Sequence, residues 1–196
     1  MDVPSGTSLV VCLECGGERS FVRPPLCIVT GAAGTGKTTI RRTLAGEVDA
    51  VFLEDDGIAD QACEFESEAA FNDYVLRLCR DVAQSEVQPV LFTTGMGVPD
   101  NVENLVNRRY FAESHYLALV CEDEVQADRL HARPGWKDGG YWADVERQVE
   151  FNNWFKEHAT EEGIQLLDTT DASVDETATA VSDWLSERLD SSLSRE

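Results

Sequence analysis

Residues 26–42 read LCIVTGAAGTGKTTIRR: an apolar run of strand length, a glycine-bearing turn, and a segment with helical character. The turn fits G-x-x-x-x-G-K-[ST] at Gly31, Gly36, Lys37 and Thr38. Glycines at those positions let the backbone curl so that successive N–H groups converge on phosphate oxygens. The following helix adds its positive end, the lysine reaches the outer phosphates, and the threonine hydroxyl is placed to ligate Mg²⁺. Gly31, Ala32, Ala33, Gly34, Thr35, Gly36, Lys37, Thr38 and Thr39 are therefore the expected nucleotide-binding residues.

A strand that feeds such a loop into a helix constrains the rest of the chain. Four further apolar runs follow: AVFLE (50–54), PVLFTT (89–94), HYLALVC (115–121) and IQLLD (164–168). Helical patterns separate them, over about 38–48, 64–84, 101–112, 122–134, 142–160 and 174–189. Near-continuous apolar strands alternating with helices mean a parallel sheet covered on both faces. The expected fold is thus three-layer α/β, with a five-stranded parallel sheet and helices on both sides. In the last helix Val174, Ala178, Val181 and Leu185 share one face, and Ser173 or Asp171 can cap its start. Residues 26–190 form the expected domain, and 1–25 an N-terminal extension.

Composition narrows the partners. The net charge is −21, from 37 acidic and 16 basic residues, and only Lys37, Lys137 and Lys156 are lysines. Without a Lys/Arg run to neutralise phosphates, nucleic acid is not an expected partner. The acids are spread along the chain, the pattern of a surface that stays hydrated at high salt, as in halophilic proteins. No stretch approaches 18 apolar residues and MDVPSGTS lacks the features of an export signal, so no membrane association and a cytoplasmic location are expected. The six cysteines then read as thiols rather than a disulfide framework. CLEC at 12–15 looks like half of a zinc knuckle. No second CxxC completes it, and a redox or incidental pair is the stronger reading.

The acidic end of the second run, VFLEDDGIAD, supplies carboxylates at the C-terminal edge of the sheet, where ligands of such folds sit. They can hold water on Mg²⁺ or accept a proton from an attacking hydroxyl. Asp56 is assigned as base and Asp55 to the metal shell with Thr38, an assignment that can be exchanged at this level. After the fourth run comes RLHARPGW, with Arg129 and Arg133 four apart on one helix face and Pro134 as a stop.

Together the loop GAAGTGKTT, the acids of LEDDGI and the segment RLHARPGW resemble the small P-loop phosphotransferases, a group that includes shikimate, gluconate, adenylate and nucleoside kinases. The resemblance implies the P-loop NTPase fold, with ATP and Mg²⁺ as cofactors. It also implies an arginine-bearing lid, here about 129–142, that closes over the phosphate in transit. Lys37, Asp56, Arg129 and Arg133 would then be the catalytic set. TTGMGVPDN (93–101) falls beside the pocket, with Thr94, Gly95 and Gly97 placed to contact a small-molecule acceptor together with Asp56; a plain strand-to-helix turn accounts for those glycines equally well. LLDTTDAS (166–173) resembles the loop beside the adenine. The expected activity is transfer of the γ-phosphoryl group of ATP to a hydroxyl or phosphate acceptor, with a nucleoside or nucleotide the first choice on resemblance. The competing expectation is an ATP-binding sensor without transfer.

The charge makes its own forecast. The melting temperature should rise as KCl goes from millimolar to molar, because screening relieves repulsion among the acids; a flat or falling series would show that the surface is not built for salt.

Overall fold

The computed structural model describes residues 7–12, 14–134, 136 and 144–193. Seven strands and six helices run in the order β1 (Thr7–Val11), β2 (Glu18–Val22), β3 (Leu26–Thr30), α1 (Lys37–Leu44), β4 (Val51–Glu54), α2 (Glu68–Ala83), β5 (Pro89–Phe92), α3 (Asp100–Glu103), β6 (Ser114–Val120), α4 (Asp123–Ala132), α5 (Val145–Glu162), β7 (Ile164–Asp168) and α6 (Val174–Leu193). Five strands form the parallel sheet in the order β4-β5-β3-β6-β7, and β1 pairs antiparallel with β2 as a separate hairpin.

Strand β3 is central and wholly buried because both its faces are covered. The two faces can be read from its alternation. Leu26 and Ile28 join Leu91, Tyr116, Ala118 and Val120 against Phe71, Val75, Leu76 and Cys79 of α2 and Phe155 and Ala159 of α5. Cys27 and Val29 face the other way, with Val90, Phe92, Leu117 and Leu119, onto Ile40 and Leu44 of α1 and Ala178, Val181, Trp184 and Leu185 of α6. The period of two along each strand thus sorts one apolar run into two cores. The expected three-layer architecture is the one observed.

Helix α6 begins with a reciprocal cap. Ser173 Oγ accepts from the Glu176 amide at 3.2 Å, and Glu176 Oε2 accepts from the Ser173 amide at 2.9 Å. That is the capping-box arrangement, and Ser173 rather than Asp171 fills it.

Two local expectations differ from the structure. The helix expected over 101–112 is broken into α3 and a 3₁₀ turn at Val106–Tyr110. Asn107 is the cause: its amide and side-chain Nδ2 donate to the two carboxylate oxygens of Asp73, each at 2.7 Å, while Arg108 reaches back to Glu103 at 2.8 Å. Side chains that bind backbone and neighbouring helices in this way outcompete helix continuation. The hairpin within residues 7–22 is the second difference, since that segment carries no strand expectation. It is anchored by Phe21, whose ring meets Tyr110 edge-on with centroids 5.6 Å apart.

The β5–α3 connection places a glycine where no side chain fits. A Cβ on Gly97 would stand 1.6 Å from Thr30 Oγ1, so the turn closes directly on the end of the central strand. Gly95, two residues earlier, faces open space. Gly97→Ala is accordingly expected to lose about 1–3 kcal/mol of unfolding free energy, while Gly95→Ala stays within about 0.5 kcal/mol of the parent. Urea denaturation of the two variants checks this contrast.

Candidate active site

The loop after β3 and the first turn of α1 line a cavity of about 600 Å³ at the C-terminal edge of the sheet. Its wall includes Ala33 to Thr39 and Arg42 on the loop side, Asp56 and Thr94 at the ends of β4 and β5, and Arg129 and Arg133 from α4. Thr169, Ala172, Val174 and Thr177 close the side formed by the β7–α6 connection. The parts expected from separate sequence segments therefore meet around one space.

Gly31 fixes how the loop leaves the sheet. A side chain there would put a Cβ 2.3 Å from the Leu119 carbonyl oxygen, and its φ of 129° lies in the region glycine favours. Lys37 then folds inward. Its Nζ donates to the carbonyls of Gly31 at 2.6 Å and Ala32 at 3.0 Å. Burial lowers its pKa to about 8, opposed by the negative charges of Asp56, Asp55 and Glu54. A buried ammonium held by neutral carbonyls gains from any anion brought beside it, the property a phosphate-binding lysine needs.

The loop is also held from outside. Gln126 of α4 donates from Nε2 to the Ala33 carbonyl at 2.7 Å and to the Gln148 carbonyl at 3.0 Å. Gln148 of α5 accepts from the Ala33 amide through Oε1 at 2.9 Å. Both glutamines are buried. The two helices that flank the lid segment thus grip the same residue of the loop, Ala33. This pair was not anticipated; the available signal was the position of Gln126 on the helix face that also carries Leu130 and Arg133.

Three consecutive acids at the end of β4 go three ways. Glu54 Oε1 accepts from Thr38 Oγ1 at 2.7 Å, and Oε2 pairs with Arg41 at 2.9 Å. Asp55 turns into the protein, where Oδ2 accepts from Thr93 Oγ1 at 2.5 Å and Thr93 Oγ1 in turn accepts from the Met96 amide at 3.0 Å. Asp56 is exposed and lines the cavity. Asp55, the residue expected in the metal shell, therefore contacts Thr93 rather than Thr38. The strand's alternation explains it: with Glu54 directed at the loop, the next side chain points to the opposite face.

Arg129 donates to Thr169 Oγ1 at 3.1 Å and to the Thr169 carbonyl at 2.8 Å. Thr169 Oγ1 itself lies 3.2 Å from the Thr35 carbonyl, so this arginine is tied to the loop through the β7–α6 connection. Arg133 is the C-cap of α4, exposed, with its guanidinium 5.6 Å from the centroid of the Trp136 ring. Of the expected lid, residues 135 and 137–142 lie outside the described residues. Thr94 lines the cavity; Gly95 and Gly97 do not. The Gly95 carbonyl instead accepts from Asn101 Nδ2 at 2.9 Å.

No family model matches the chain. A shikimate kinase of Bacillus cytotoxicus is 28% identical over 160 residues, which cover 76% of this chain and 90% of that protein. Among solved structures, a gluconokinase from Sinorhizobium meliloti 1021 superposes with a TM-score of 0.57 at 16% identity, over 86% of this chain and 96% of the other. A shikimate kinase from Acinetobacter baumannii in complex with shikimate does so with a TM-score of 0.52 at 21% identity, over 85% and 96%. The chain is similar to small P-loop kinases of the shikimate and gluconate type. It is a P-loop phosphotransferase with the five-stranded parallel α/β fold of those neighbours. Among the described residues, no helix is long and apolar enough to cross a membrane.

Burial raises the Asp55 carboxyl to about pKa 6, with the Thr93 hydrogen bond opposing the shift. The folded state then holds this proton more tightly than the unfolded chain, so the associated stability is full below about pH 3.8 and is lost as pH rises through about 6. Asp55→Asn keeps the shape and an acceptor for Thr93 but never ionises. Its melting temperature relative to the parent should therefore increase between pH 4 and pH 7, with the gain retained above. Thermal denaturation across that range measures it; a difference independent of pH would mean that Asp55 does not titrate as its burial requires.

Proposed function

We propose that this kinase moves the γ-phosphoryl group of ATP to a hydroxyl of a small hydroxylated acid, of the class to which shikimate and gluconate belong. The observation that carries this reading is the cavity itself, where the phosphate loop, Asp56 and two arginines line one space. The acceptor class rests on the relatives, which are shikimate and gluconate kinases. They point away from the nucleoside expected first.

In this reading Lys37 and the loop amides hold the outer phosphates. Mg²⁺ suits the hard oxygen donors offered by Thr38 and Glu54, with Glu54 taking the place first given to Asp55. The ion would supply charge neutralisation on the phosphates. Asp56 accepts the proton of the acceptor hydroxyl as that oxygen forms its bond to the γ-phosphorus. The bond from phosphorus to the β–γ bridging oxygen breaks, and ADP leaves. Arg129, anchored on Thr169, keeps a guanidinium beside the site, and Arg133, exposed and set over the Trp136 ring, swings onto the transferring group. Such chemistry asks for position and charge rather than covalent steps, which these residue types supply.

Incubation with Mg-ATP and a panel of hydroxy acids, sugar acids, sugars and nucleosides in molar salt tests the acceptor class; a phosphorylated nucleoside as sole product would overturn it. With an acceptor in hand, Asp56→Asn should retain ATP affinity by calorimetry and lose kcat. Arg133→Lys should lower kcat by on the order of 10³-fold, with a smaller effect on KM for ATP, since a point charge does not reproduce the planar fork. A kcat within about twofold of the parent would remove Arg133 from transition-state contact.

A further inference from the structure

The hairpin of β1 and β2 carries two thiols at its tip and has no part in the phosphotransfer site. Cys12 and Cys15 are both exposed. Their turn is closed by two backbone bonds, from the Cys12 amide to the Gly17 carbonyl and from the Gly16 amide to the Cys12 carbonyl, each 2.8 Å. Gly16 takes the positive φ of 68° the turn requires, and Gly17 leaves room for sulfur: a Cβ there would sit 3.3 Å from Cys15 Sγ. The backbone N–H groups of Cys15 and Glu14 are directed at the Cys12 sulfur, an arrangement that favours its thiolate. This is a turn shaped around two sulfurs.

Two sulfurs are half of a tetrahedral site for a borderline-soft cation such as Zn²⁺. Among the described residues, the other half does not come from the same chain. All six cysteines and three histidines lie among the described residues, and there no three Cys, His, Asp or Glu side chains gather as a metal cluster. Beside the thiols, Leu9 and Val11 stand about half exposed, at 51% each. They are two positions apart on β1, opposite Ser20 and Glu18, whereas Phe21, on the neighbouring register position, is the residue that meets Tyr110. The hairpin thus keeps one face for its own domain and presents Leu9 and Val11 on the other.

We propose that the hairpins of two copies of this chain meet across a two-fold axis and share one Zn²⁺ through Cys12 and Cys15 of each. Symmetry answers both deficits at once, since an isologous contact duplicates the thiol pair and covers the apolar strip with its own equivalent. Four thiolates complete the coordination, and two pairs of Leu9 and Val11 leave water. Each chain carries −21, so the association works against repulsion that salt screens and should tighten from millimolar to molar KCl.

The full chain, reduced and stripped of metal by a chelator, should behave by light scattering as a single chain. On titration with Zn²⁺ its mass should double, saturating at one zinc per two chains. Co²⁺ in place of Zn²⁺ should give the absorption of a tetrahedral thiolate site. Cys12→Ser and Cys15→Ser should each abolish doubling and zinc uptake while leaving the circular dichroism spectrum unchanged, and Cys63→Ser should change neither. One tightly held zinc per single chain, a dimer that survives chelation, a mass that never doubles, or doubling that persists in the Cys12→Ser/Cys15→Ser variant would each overturn the proposal.

Discussion

A single ammonium group organises the site. Lys37 is buried with its charge turned toward the carbonyls of Gly31 and Ala32, and this contact curls the loop that precedes it. The curl needs the close approach of Gly31 to β6, and it leaves the residues from Ala33 to Thr39 lining the cavity. Gln126 and Gln148 then hold Ala33 by its carbonyl and its amide on either side of the residue. Since those glutamines belong to the helices on either side of the lid segment, the loop and the lid share a support. A change in the tilt of α4 is therefore felt at the loop and at Arg129 and Arg133 together.

The run Glu54-Asp55-Asp56 shows how backbone geometry separates identical chemistry. One carboxylate reaches the loop threonine, one is buried against Thr93, and one is left in the cavity. Burial at the middle position raises the affinity of Asp55 for a proton, while Asp56 is exposed and lines the cavity. Asp55 also does structural work: through Thr93 it reaches the Met96 amide and so stiffens the turn that ends in Gly97, which in turn rests on Thr30 of the central strand. The position of the proposed base is thus set by its neighbour's hydrogen bonds.

Much of this was legible in the sequence, and for identifiable reasons. The inner strands β3 and β5 are buried on both faces, so Leu26–Val29 and Pro89–Phe92 are unbroken apolar runs. The phosphate loop is a local motif whose residues contact each other across a few positions. What escaped was long-range or conditional on facing. Nothing in the amides Gln126 and Gln148 announces a grip on a loop 93 or 115 positions away. Which of three acids meets Thr38 depends on where β4 stops. Asn107 interrupts a helical pattern only because Asp73 of another helix is within reach. The first strand of the hairpin sits in the apolar run LVVCL (9–13), but its partner ERSFV (18–22) opens on three polar residues and gives no strand pattern of its own.

The charge distribution resolves into two scales. Across the chain acids outnumber bases by more than two to one, yet among the described residues the cavity wall gathers Lys37, Arg42, Arg129 and Arg133 with Asp56 as the one acid. In dilute buffer, where the Debye length is tens of ångströms, an incoming polyphosphate feels the whole negative envelope before it meets those cations. In molar salt the length falls to about 3 Å. The envelope then fades, while the four cations that line the cavity would still act at contact on a phosphate bound there. A surface that repels the substrate at a distance and a site that attracts it at contact are compatible when salt cuts the field off between the two distances, so the surface charge can serve hydration without costing the site its ligand.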